Sequence, residues 1–322
     1  MEKSVMRIAI TGSSGYVGNF LAEYFSKKGI HVVGLANHSI PQQKHLKDFK
    51  FVDCDVRNKS LLKETFEKEK ITHVIHLAYL MNPQHDKKFE YDVDVNGSKA
   101  CFDAANEVKS VKQLILFSSA SIYGAFKDNK DWTKESSPLR PRDWVYAQYK
   151  KIVEAYYRSA KRRKDLRLVI FRMCTAVGPS YYKRGGVVSY LAKSPLLMLI
   201  NGIDTKLQFI HEDDVKKLVD LVVHDSKVEG IFNLSPDSYC TQRQVGRRKF
   251  FVYVPKFLIY SLVWLFWNLR LSPLSPTAIN LTAYGIVMSP EKLMKRYNYH
   301  FEYSSAEAFF DAVEKRKKNG TL

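Results

Sequence analysis

Cysteine is scarce: Cys54, Cys101, Cys174 and Cys240 stand far apart, with no CxxC or HxxxH spacing among them. That excludes a disulfide framework and a zinc site, and no metal centre is predicted; four scattered thiols suit a reduced, cytoplasmic protein. The opening MEKSVMRIAITG lacks the apolar core of a signal peptide, so secretion is not expected. No apolar run reaches membrane-spanning length either. FFVYVPKFLIYSLVWLFWNL, residues 250–269, is interrupted by Pro255 and Lys256. The helix that can follow them has ~13 residues, about 20 Å at 1.5 Å each, against the ~30 Å a span requires. Three readings of this run stay open: a buried helix of a smaller lobe, the wall of an apolar pocket or partner interface, and an interfacial anchor in weak peripheral contact with a membrane, flanked by Arg247-Arg248-Lys249 and Arg270.

Acidic residues are the other shortage, 33 against 51 Lys and Arg, which leaves a formal charge of +18. Such a balance favours anionic partners, from a nucleotide to an acidic membrane surface. The basic clusters (161–164, 247–249 and 315–318) lack the spacing and interleaved aromatics of a nucleic-acid interface, so they are read as solvated faces and no nucleic acid is expected as partner. Internal repeats and low-complexity tracts are absent. With 45% hydrophobic residues among 322, the chain can fill one large α/β domain with an annex.

What is present is an alternation of short β-branched runs with segments of helical length. Strands are predicted at Arg7–Thr11, His31–Leu35, Lys50–Asp53, His73–Leu77, Gln113–Ser118 and Leu166–Arg172, with helices at Tyr16–Lys28, Asn58–Lys70, Asp92–Val108 and Trp144–Arg163. This is the pattern of an α/β, doubly wound parallel sheet of the Rossmann kind, which binds ligands at the carboxyl edge of its strands. A late strand, Gly230–Leu234, returns to it. The boundaries follow: residues 1–175 with 205–235 form the dinucleotide-binding domain, and residues 176–204 with 236–322 form a smaller C-terminal substrate lobe.

Three constellations carry chemistry. Gly12-Ser13-Ser14-Gly15-Tyr16-Val17-Gly18 lies directly between the first strand and the first helix. Glycines there allow a tight turn and close backbone approach, so a pyrophosphate can sit on free amides at the positive helix end. Gly12, Ser14, Gly15, Tyr16, Val17 and Gly18 are therefore cofactor-binding candidates. The second strand ends Gly34-Leu35-Ala36-Asn37 without the carboxylate that holds the ribose of NAD, and the next lysine is Lys44, so NAD and NADP both remain open. Asp55, after the third strand and followed by Val56, is a candidate for the adenine amino group, or simply a turn residue.

Tyr146 and Lys150 stand four apart on a predicted helix and share a face. An ammonium beside a phenol favours the phenolate, which can exchange a proton with a substrate hydroxyl. The third constellation, Leu116-Phe117-Ser118-Ser119-Ala120-Ser121-Ile122-Tyr123-Gly124, ends the fifth strand in hydroxyls that could orient the same substrate oxygen.

Together these segments resemble the extended short-chain dehydrogenases/reductases, and among them the NAD-dependent epimerase/dehydratase group. TGSSGYVG, HLAY at 76–79, FSSASIYG, YAQYK, FRMCTAVGP at 171–179, FIHEDDV at 209–215 and GIFNLS at 230–235 carry the resemblance. It implies that Ser119 is the catalytic hydroxyl and Ser121 a substrate contact. Tyr146 would be the general acid/base, and Lys150 would bind the nicotinamide ribose and tune Tyr146, so both belong to the cofactor site as well. Leu77 and Ala78 would line the cofactor by their backbone, and two copies of the chain would pair into a homodimer through the helices beginning near Asp92 and Trp144. Two departures stand out. Asp94 occupies the place of an asparagine in the helix motif Asp94-Val95-Asn96-Gly97-Ser98, and Leu207 falls where the UDP-sugar enzymes carry a diphosphate-binding arginine. The expected activity is hydride movement at a secondary alcohol or ketone carbon of a sugar nucleotide, as in an epimerase or dehydratase. A net reductase of a hydrophobic, hydroxysteroid-like alcohol or ketone, and a non-catalytic NAD(P)-binding regulator, are the alternatives.

Overall fold

A computed structural model of the chain describes residues 5–37, 45–141, 144–181, 186–272 and 275–322. In chain order the elements begin with β1 (Arg7–Thr11), α1 (Tyr16–Lys27), β2 (His31–Ala36), β3 (Phe49–Asp53), α2 (Lys59–Lys68), β4 (His73–His76), α3 (Lys87–Tyr91), α4 (Gly97–Glu107) and β5 (Gln113–Ser119). They continue with α5 (Val145–Ser159), β6 (Arg167–Met173), β7 (Thr175–Val177), α6 (Gly186–Lys193), β8 (Leu196–Ile200), β9 (Lys206–Leu207), β10 (Phe209–His211), α7 (Glu212–His224) and β11 (Gly230–Leu234). The last stretch holds β12 (Cys240–Thr241), α8 (Gln242–Val245), β13 (Phe250–Val254), α9 (Lys256–Asn268), α10 (Ile279–Ala283), α11 (Glu291–Tyr297) and α12 (Ser305–Lys318).

β1, β2, β4 and β5 are apolar runs covered by helices on both faces, which is what a parallel sheet requires. Seven strands assemble in the order β11-β6-β5-β4-β1-β2-β3. The order reverses direction at β1, whose neighbours β2 and β4 both run parallel to it. That reversal opens a crevice beyond the carboxyl ends of β1 and β4. The register sets Thr11 of β1 beside His76 of β4.

The chain packs as two compact units: Met1–Ser118, Tyr149–Phe171 and Lys216–Ile231 in one, Ser119–Gln148, Arg172–Val215 and Phe232–Leu322 in the other. The core of the first centres on Ala9, Val33, Phe66, Val74, Phe102 and Leu114. The second is built on Val177, Leu191, Leu197, Phe209, Cys240 and Phe309, and a satellite cluster of Ile200, Val263, Ile279 and Ala283 joins β8, α9 and α10. All four cysteines are buried and unbridged.

Two expectations need revision. The helix predicted over Asp92–Val108 begins at Lys87 and passes through one wide π turn, Asp92–Asn96, before α4. Gly97 is where the two parts meet: a Cβ there would lie 2.5 Å from Val56 Cγ1, so the helix approaches the end of β3 closely. The run 250–269 splits at Pro255 into β13, paired with β8, and the 13-residue α9. Burial of that helix, one of the three readings, is not what the structure shows, since only Val263 of α9 is buried.

Candidate active site

β1 ends in a turn that leaves no room for a side chain at Gly12. Gly12 has φ +71°, and a Cβ on it would stand 2.7 Å from the Ala78 amide nitrogen and 2.9 Å from the Leu77 carbonyl carbon. Gly18 faces back onto the same turn, 2.3 Å from the Gly12 oxygen by the same measure. Gly15 differs: its backbone is extended, and a Cβ there would approach only the Gly12 oxygen, at 3.2 Å. The space beyond it is open. Gly15 is also the N-cap of α1, and no side chain caps that helix. An uncapped helix start with space beside Gly15, on a turn pressed against Leu77 and Ala78, has the geometry that fits a dinucleotide pyrophosphate.

The ends of β1 and β4 are joined by side chains. Thr11 Oγ1 accepts from the amides of Leu77 and Ala78, 3.3 Å each, and lies 2.7 Å from His76 Nδ1. His76 Nε2 lies 2.9 Å from Ser98 Oγ, which itself donates to the Asp94 carbonyl. Since the Ser98 proton is committed, His76 must donate from Nε2 and accept at Nδ1 from Thr11. Burial pushes the His76 imidazole down to about 3, so this relay is neutral. Through Thr11 it fixes the backbone of Leu77 and Ala78 beside the turn that follows β1.

Lys150 is buried on α5. Its ammonium donates to the Phe117 carbonyl at 2.9 Å, two residues before Ser119, and stands 3.6 Å from the centre of the Tyr79 ring. Asp94 is fully buried; one carboxylate oxygen accepts from the Leu80 amide at 2.8 Å and the other has no hydrogen-bond partner. Burial lowers the Lys150 ammonium and raises the Asp94 carboxyl, while each opposes the other's shift through its charge. Asp94 therefore acts as the counter-charge that helps a desolvated lysine keep its proton.

Ser119 closes β5 and Ser121 follows in a short 3-10 turn. Ser119 Oγ accepts from the Ser121 amide at 3.2 Å and from the Ser121 hydroxyl at 2.9 Å. With both lone pairs engaged, the Ser119 proton is left to donate outward. The turn is anchored by Tyr123, whose hydroxyl donates to Asn233 Oδ1 at 2.7 Å and accepts from buried Arg172 at 2.9 Å. Tyr146, one turn before Lys150 on α5, is buried with its ring stacked on Trp144 at 4.6 Å between centroids. Ser121, Trp144 and Ala147 line a small open cleft that Phe126, Asn280 and Leu281 complete.

The remaining candidates are placed more plainly. Asp55 is held by Arg57 at 2.6 Å, which also reaches Asp92 at 3.0 Å, and Asn37 at the end of β2 lies 3.5 Å from the same carboxylate. Val56 is buried against Gly97. Tyr16 packs edge-on against Phe20. Leu207 is half-buried and packs against the second unit's core, and neighbouring Lys206 pairs with Asp131 at 2.5 Å. Lys44 lies outside the described residues. Sequence reasoning did not single out His76, Arg172 or Asn233, although all three fall within segments that carried the family resemblance.

A sequence profile of the NAD dependent epimerase/dehydratase family matches residues 8–235. An uncharacterized protein of Mycobacterium tuberculosis is 25% identical over 314 residues, 94% of this chain and 82% of that one. The dTDP-D-glucose 4,6-dehydratase of Dictyostelium discoideum is 23% identical over 278 residues, covering 76% and 61%. Among solved structures, the Bordetella bronchiseptica enzyme WbmG, in complex with NAD and UDP, superposes with a TM-score of 0.79 at 21% identity, over 99% of this chain and 96% of that one.

Proposed function

The chain belongs to the NAD-dependent epimerase/dehydratase family, and from that premise we propose that it moves a hydride at a secondary carbinol of a sugar nucleotide, with Ser119, Tyr146 and Lys150 as its catalytic groups. NAD, when bound, accepts and returns the hydride. Gly12, Ser14, Gly15, Tyr16, Val17 and Gly18 hold its diphosphate; Asp55 and Val56 serve the adenine end, and Leu77 and Ala78 line its course. Residues 1–175 with 205–235 form this dinucleotide domain, and residues 176–204 with 236–322 cover the substrate.

The observation that carries the proposal is the buried Lys150 ammonium, fixed on the Phe117 carbonyl one helical turn after Tyr146. It stabilises the Tyr146 phenolate, which takes the carbinol proton; Ser119 donates to the same oxygen, and Ser121 steadies both Ser119 and the substrate. The dTDP-glucose dehydratase relative and the UDP bound to WbmG support a sugar-nucleotide substrate. A second reading, net oxidation or reduction of an apolar alcohol or ketone, is favoured by one observation: partly buried Leu207 packs against the second unit's core and offers no charge where the UDP-sugar enzymes carry a diphosphate-binding arginine. The same proposal includes a cytoplasmic homodimer through α4 and α5, supported by Ile152, 39% exposed on α5.

The test is turnover by purified protein supplied with UDP-glucose and dTDP-glucose. Formation of an epimer or a keto-deoxy sugar without accumulating NADH supports the reading. Turnover only of apolar alcohols, with stoichiometric NADH, replaces it with the second.

A further inference from the structure

We propose that α9, with the outward residues of β13 and of the turn after α9, is a docking surface for an anionic lipid bilayer. The exposure is the first ground. Phe250 is 78% exposed, Phe257 67%, Trp264 53% and Leu271 70%, and Leu258, Tyr260, Leu262, Leu265 and Phe266 are exposed beside them. Soluble domains scatter such residues singly; here seven of them lie on the one helix α9.

Their arrangement selects the occupant. At 100° per residue, the exposed apolar positions of α9 sweep roughly 240° of the helix circumference, and the remaining sector holds Lys256, Ile259, Val263 and Trp267. A helix that pairs with a second copy or a globular partner presents a stripe near 100° wide. A helix immersed among acyl chains is met by apolar medium on every free side. Ser261 and Asn268 are the polar breaks, and Asn268 returns its amide to the Trp264 carbonyl at 2.7 Å.

Charge supplies the third ground. From Ser238 to Pro290 there is no aspartate or glutamate, while Arg243, Arg247, Arg248, Lys249, Lys256 and Arg270 fall in the same stretch. Arg247, Arg248 and Arg270 are exposed, Arg248 two residues before Phe250 and Arg270 directly before Leu271, and they would meet the phosphates of an anionic headgroup layer. Tyr253, Tyr260 and Trp264 suit the same depth. At 13 residues α9 extends about 20 Å and lies within one leaflet; no helix among the described residues is long and apolar enough to cross.

The proposal is independent of the reaction, so its test reads binding alone. The full chain is floated with vesicles of phosphatidylcholine and with vesicles of phosphatidylcholine mixed with phosphatidylglycerol. The expected result is at least ~10-fold more protein on the anionic vesicles, falling as salt is added. Phe257→Glu with Trp264→Glu should abolish flotation, and Arg247→Glu with Arg248→Glu should remove the anionic preference while leaving the apolar patch intact. Wild-type protein that remains unbound with both vesicles overturns the proposal. So does light scattering that shows a dimer dissociated by Trp264→Glu, because α9 would then be covered by a second copy.

Discussion

Gly15 and Gly18 are three residues apart, at the N-cap and in the first turn of α1, yet substituting them should have opposite consequences. Gly15 has an ordinary extended backbone and one neighbour at 3.2 Å from the position of an added Cβ. Gly15→Ala should therefore leave the stability of the nucleotide-free protein within ~1 kcal/mol of wild type, because the small contact strain is offset by a less flexible unfolded chain. The methyl occupies the space of the pyrophosphate, and two charge-assisted hydrogen bonds at ~1.5 kcal/mol each amount to ~3 kcal/mol, a loss of about a hundredfold in NAD affinity. Gly18→Ala places its Cβ 2.3 Å from a backbone oxygen, about 1 Å inside contact, and nothing flexible can yield. It should cost ~1–3 kcal/mol of stability, with cofactor binding reduced as a secondary effect. Urea denaturation of the stripped proteins and calorimetric titration with NAD separate the two quantities. If Gly15→Ala binds NAD as wild type does, the loop is not the phosphate site; if it unfolds, the open space beside it has been misjudged.

Four further outcomes follow from the site. Tyr146→Phe should abolish turnover while NAD affinity, measured by calorimetry, stays within about fivefold, because the phenol moves a proton and contributes little to holding the dinucleotide. Asp94→Asn removes the anion that helps buried Lys150 keep its proton; the lysine then deprotonates at lower pH, and the alkaline limb of the kcat profile should move acidward by about one unit, ~1.4 kcal/mol, whereas a loss of packing would lower kcat without moving the limb. UDP should bind the NAD-loaded protein no more tightly than about 50 μM, near −6 kcal/mol, because Leu207 offers no donor; tighter calorimetric binding would show that another cation grips the diphosphate. Light scattering at tens of micromolar should give a dimer that Ile152→Glu weakens, and a monomeric wild type removes α5 as its interface.

The turn after β1 was legible because its glycines answer to local geometry: a strand end, a turn and a helix start are all encoded within seven residues. His76 was not, since its role depends on the β1–β4 register that sets it beside Thr11, and register is a property of two segments 65 positions apart. Asp94 was visible as a departure from the family's motif, but its function as a buried counter-charge required the wide turn that carries it inward. Arg172, Tyr123 and Asn233 stand in three separate segments and become one network only on folding. For the apolar run, length and composition correctly gave a short helix after Pro255. They could not give its exposure, because a helix apolar nearly all round has the same sequence whether protein or lipid surrounds it.

α10 has a double commitment. Asn280 and Leu281 form part of the wall of the cleft that contains Ser121, while Ile279 and Ala283 pack with Val263 of α9. A wall shared by two sites cannot shift for one occupant without altering the space offered to the other. Thermodynamic linkage then makes the effect symmetrical: the factor by which a seated α9 changes affinity in the cleft must equal the factor by which an occupied cleft changes the seating of α9. Two unrelated titrations, one of ligand at fixed lipid and one of lipid at fixed ligand, must therefore return the same coupling constant, and a protein in which α10 is rigid must return unity from both.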